Sequence, residues 1–129
     1  MVVKERDIES RADLELVLGR FYDKALADEE IGIFFTEVVP LHLPTHLPHI
    51  LDFWESVVFI TRGYSKDVMG LHRHIHNLAP ISKAHLDRWY HLFSTTVAEL
   101  FSGKNATLMM QRARSIATMM DMKLNHDKR

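Results

Sequence analysis

The stretch "SKAHLDRWYHLFSTTVAEL", residues 82–100, decides the fold. Leu86, Trp89, Phe93, Val97 and Leu100 recur at steps of three and four, which lays one apolar stripe along a helix. Ser82 is the predicted cap, because a serine hydroxyl accepts a backbone N–H that a helix start leaves free. Gly103 is the predicted stop.

Working outward, three more stripes share this period. Leu14, Val17, Leu18, Phe21, Tyr22 and Ala25 predict a helix over 11–27, and Ser10 with Asp13 reads as its capping box. His46, Ile50, Phe53, Val57 and Ile60 predict another, with Thr45 as cap and Pro48 in the first turn, where a missing N–H does little harm. Ala106, Met109, Met110, Ala113, Ile116, Ala117, Met120 and Leu124 predict the last. Irregular chain is expected over 36–44 and 61–81, where prolines and glycines collect. The fold class that follows is all-α: one domain over 1–129, with 1–10 and 125–129 as flanking tails.

Composition narrows the function. The chain has 129 residues and a formal charge of −1, so no overall field draws it to nucleic acid or to an acidic membrane. It has no cysteine, which rules out disulfides, thiolate zinc sites and iron–sulfur clusters. The amino terminus turns polar at once, unlike a secretory signal, and no apolar run approaches the ~20 residues that cross a bilayer. A cytoplasmic protein is expected.

Histidine is the unusual residue. Of nine, eight lie between positions 42 and 91, and His72, His74 and His76 alternate within "LHRHIHN" (71–77). On a strand those three would face one way and suit a non-haem metal. Their neighbours, however, are poor strand formers, and on a helix only His72 and His76 share a face, beside the opposing charge of Arg73. A single imidazole suffices for haem, provided that the helices offer an apolar slot. Phe21, Phe34, Phe35, Phe53, Trp54, Trp89, Phe93 and the methionines could furnish one, or could form a plain core.

Five segments carry a resemblance: "FYDKALADEEIGIFF" (21–35), "HLPHILDFW" (46–54), "VMGLH" (68–72), "PISKAHLDRWYHLF" (80–93) and "RARSIATMM" (112–120). In order and spacing the chain resembles the group III truncated haemoglobins from about Leu14 to Leu124. The resemblance implies a truncated globin fold, a two-over-two helical sandwich around haem b. His72 matches the proximal iron ligand, since it follows Tyr64 and Met69 and precedes His85-x-x-Arg88-Trp89. Tyr22, Trp89 and His46 match the residues that face the bound ligand. Phe34, Phe35, Ile50, Phe53, Phe93 and Ile116 would line the haem, with Met69 and Leu71 beside the proximal histidine and His49 near a propionate. Two departures stand out. Lys66-Asp67-Val68-Met69 replaces the usual Gly-x-Pro-Met, which bears on the tilt of His72, and Leu43 lies near the place of a frequent tryptophan.

The function implied is reversible binding of dioxygen, or another diatomic such as nitric oxide, at ferrous iron. Two distal donors suit tight holding or redox chemistry, peroxidase-like or nitric-oxide-oxidising, which would need a reductase partner. The alternative is a haem-free helical module that binds a partner or small ligand; it needs the aromatic core but neither Tyr22 nor His72.

Overall fold

A computed structural model of the chain describes residues 6–35, 43–59 and 81–126, with backbone alone at 43–46 and 126. The described residues form four helices: α1 (Arg11–Ala27), α2 (Leu43–Val58), α3 (Lys83–Leu100) and α4 (Lys104–Asp121). A π-helical turn, Met122–His126, continues α4. The described residues contain no strand, as the periodicity predicts. Helix α1 packs chiefly on α2 and α3, and α4 on α3 and α2, so each helix is held between two others.

The apolar stripes become the core. Leu14, Val17, Leu18, Phe21 and Ala25 of α1 meet Leu51 and Trp54 of α2, Phe93 and Val97 of α3, and Ala106, Met109 and Ala113 of α4. Burying each large side chain contributes roughly 1.5–3 kcal/mol. A second cluster, Ile81, Leu86, Ala117, Met120 and Leu124, closes the α3–α4 end. No helix among the described residues is long and apolar enough to cross a membrane.

The helix ends depart from expectation in instructive ways. Ser10 accepts the Asp13 N–H at 3.4 Å, but the reciprocal arm is displaced by one residue. The Asp13 carboxylate accepts the Glu9 N–H at 2.8 Å and the Arg6 guanidinium at 2.7 and 2.9 Å, which holds its acid below the usual carboxylate range. Helix α2 starts at Leu43, so Thr45 is not its cap and Pro48 falls beyond the first turn. Pro44 explains the shift, since its fixed φ suits a first helical turn.

Gly103 does not stop α3. That helix ends at Leu100, and Phe101, extended at φ −142° and 2 % exposed, turns the chain by burying its ring. Gly103 is instead the N-cap residue of α4, at φ +140°. The capping carboxylate comes from Asp7, which accepts the Asn105 and Ala106 N–H groups at 2.8 and 2.9 Å. Within the amino-terminal flanking tail Ile8 is fully buried, and its carbonyl accepts from the Asn105 side chain at 2.8 Å.

Candidate functional site

The candidate site begins on α1. Its buried stripe runs through Phe21, and one residue on, about 100° around the helix, Tyr22 stands at the edge of the core. The Tyr22 ring meets Phe21 edge-on at 5.0 Å and Phe35 edge-on at 5.8 Å. Burial pushes its phenol well above the usual value, so the hydroxyl keeps its proton through the physiological range. No described residue offers that hydroxyl a hydrogen-bond partner, whereas every fully sealed side-chain polar atom among the described residues has one. The Tyr22 hydroxyl is therefore a protonated donor that none of the described residues engages.

Helix α3 contributes Trp89. Its indole stacks on Phe93, with centroids 5.4 Å apart and planes 19° apart, and Phe93 stacks in turn on Trp54 at 5.0 Å and 23°. Phe21 meets the edge of this stack, 5.3 Å from Phe93 and 6.2 Å from Trp89. Such pairs contribute about 0.5–1.5 kcal/mol each beyond area burial. Tyr22 and Trp89 therefore flank one ring, Phe21, and the structure brings both predicted donors to the same aromatic cluster. Phe93, expected as a haem contact, is only 1 % exposed and backs the indole.

The remaining expected contacts are distributed around this cluster. Phe34, Phe35, Ile50, Phe53 and Ile116 are partly buried against the core. His49 is exposed on α2, and His46 is in the same helix. His72, Met69 and Leu71 lie outside the described residues, as do His74 and His76. Among the described residues no three histidines or carboxylates gather where they could hold a metal ion. A shallow apolar depression of about 340 Å³ on α4, bordered by Arg114, Met119 and Met122, shares no residue with the Tyr22–Trp89 cluster.

Three polar residues escape sequence reading. His85 completes the α3 capping box: the Ser82 N–H donates to His85 Nδ1 at 3.0 Å, and Ser82 Oγ accepts the His85 N–H at 3.2 Å. The signal was Ser-x-x-His, with imidazole in the place of the usual Glu or Gln. Asp28 and Arg88, on α1's end and α3, form an ion pair at 2.7 Å, in which the aspartate is buried and the arginine partly exposed. The only local hint was an aspartate at a helix end, a residue type that often bonds the backbone beyond it.

The helices described, with no strand among them, match an all-α fold of the truncated globin kind. The solved structures include one with this architecture, the group III truncated haemoglobin from Campylobacter jejuni. It superposes with a TM-score of 0.80 over 97 % of this chain and 98 % of that one, at 19 % sequence identity. No protein-family model matches the chain, and no curated protein matches it in sequence.

Proposed function

We propose that this protein binds haem b in the space faced by Tyr22 and Trp89 and takes up dioxygen, or another diatomic such as nitric oxide. The observation that carries this reading is the Tyr22 hydroxyl, protonated and deep, with no hydrogen-bond partner among the described residues. An apolar aromatic wall with one or two such donors fits the distal side of a haem. Haem, when bound, supplies the iron at which the diatomic coordinates, and His72 is the proposed proximal ligand.

The remaining roles belong to the chain. Tyr22 donates its O–H, and Trp89 its indole N–H, to the partial negative charge that a bound diatomic carries. Preorganised donors in a dry site gain strength from the low local dielectric and need no rearrangement when the ligand arrives. Phe34, Phe35, Ile50, Phe53 and Ile116 exclude water from the haem. His49 is exposed, which suits a partner for a propionate at the rim. His46 would face the ligand from α2. Tight holding of this kind suits redox chemistry on the ligand with a separate reductase better than it suits transport.

Dioxygen dissociation tests the reading. Each donor contributes about 1.5–3 kcal/mol if it bonds a charged acceptor, so Tyr22→Phe speeds release by roughly ten- to a hundredfold. Trp89→Phe acts in the same direction. Release at the wild-type rate from both variants would remove Tyr22 and Trp89 from the site.

A further inference from the structure

We infer that Asp28 and Arg88 are positioning residues that set the direction in which Trp89 and Tyr22 face the pocket; this rests on reading both as distal donors. Asp28 follows α1 directly, six positions after Tyr22, in extended conformation at φ −74° and ψ 137°. Its side chain is 5 % exposed. Oδ2 accepts the backbone N–H groups of Glu30 and Ile31, both at 3.0 Å, which folds the turn that delivers Phe34 and Phe35. Oδ1 accepts Arg88 Nε at 2.9 Å and Nη2 at 2.7 Å. One carboxylate thus joins the end of α1, the turn bearing Phe35, which packs on Tyr22, and the α3 residue before Trp89.

The rotation of α3 is the quantity this pair controls. Neighbouring helical residues stand about 100° apart, so a roll of α3 that slackens Arg88 swings Trp89 by the same angle. The Trp89–Phe93 stack cannot resist that roll, because both rings ride on α3. The Phe93–Trp54 stack and the edge contacts of Phe21 oppose it, but none of them ties α3 to the turn that follows α1. A second tie between α1 and α3, Lys24 to Glu99 at 2.8 Å, is a partly exposed point-charge pair that gives little directional hold. The Arg88 guanidinium is partly exposed, but its Nε and Nη2 meet one oxygen of the buried Asp28, and that fixed fork gives the pair a direction beside the indole.

The test uses the full ¹⁵N-labelled chain, haem-free and haem-loaded. Arg88→Lys cannot reproduce two donors in a fixed fork on one oxygen. Asp28→Asn keeps an acceptor for the turn but presents an amide to the guanidinium, and serves if Arg88→Lys does not fold. Arg6→Met, which breaks the other arginine–aspartate clamp far along α1, is the control. The indole N–H signal of Trp89, assigned with Trp89→Phe, is expected to shift in both test variants while that of Trp54 stays, and neither moves in Arg6→Met. Dioxygen release from the haem-loaded test variants is expected to quicken by about three- to thirtyfold. An unmoved Trp89 signal overturns the inference whatever haem does. A moved signal with unchanged release overturns it too. A moved signal in a protein that takes up no haem upholds the positioning role and defeats the functional reading instead.

Discussion

At the scale of single residues, Tyr22 shows how a fold sets a donor. The phenol is fixed by two aromatic edges and kept protonated by burial. Its folded value rises above the ordinary 10.0, so above that pH the unfolded chain loses its proton first. Stability from this group is complete below pH 10 and falls as pH rises beyond it. Tyr22→Phe should therefore lose less stability than the wild type between neutral pH and strong alkali, measured by denaturant midpoint. A parallel decline in both proteins would place the hydroxyl in ordinary solvent. The sequence placed Tyr22 on the apolar stripe beside Phe21, and its reading as a donor came from the resemblance. The partners of Asp28 were hidden, because Arg88 lies sixty positions away and no period connects them.

At the scale of elements, periodicity makes α1 legible over its whole length, since a stripe facing one core must repeat with the helix. The junctions are harder, because tertiary partners decide them. Gly103 illustrates this: its φ of +140° suits only glycine, and an added Cβ would lie 2.5 Å from the Asp7 side chain that caps α4. Gly103→Ala should cost about 1–3 kcal/mol or more in denaturant unfolding, and a cost near zero would mean that the Asp7 cap adapts freely. Pro48 is the converse case. Because α2 begins at Leu43, Pro48 deprives the Pro44 carbonyl of its helical donor, and Pro48→Ala should stabilise the protein by up to about 3 kcal/mol. Destabilisation instead would mean that the proline ring itself, or the α2 start it allows, is needed. The early start of α2 was illegible because two prolines compete for the first turn and only the packed structure chooses.

At the scale of the whole molecule, two arginine–aspartate clamps hold opposite ends of α1, Arg6 with Asp13 and Arg88 with Asp28. Their hydrogen bonds hold both acids below the ordinary carboxylate value of 3.8. The stability they add is present above that value and lost as pH falls through it toward the depressed values. Thermal midpoints should drop below pH 4, and less steeply in an Asp13→Asn, Asp28→Asn double variant. Equal slopes would show that the clamps do not couple to unfolding. The same architecture, shared with the truncated haemoglobin of Campylobacter jejuni, gives Tyr22 and Trp89 their common wall, while the proposed anchor, His72, rests on the sequence resemblance. Titration of the purified chain with equimolar haem tests the central claim most directly. The account predicts a saturating Soret shift to a histidine-ligated spectrum, largely lost in His72→Ala. No ligated spectrum in the wild type, or an identical one in the variant, would contradict it.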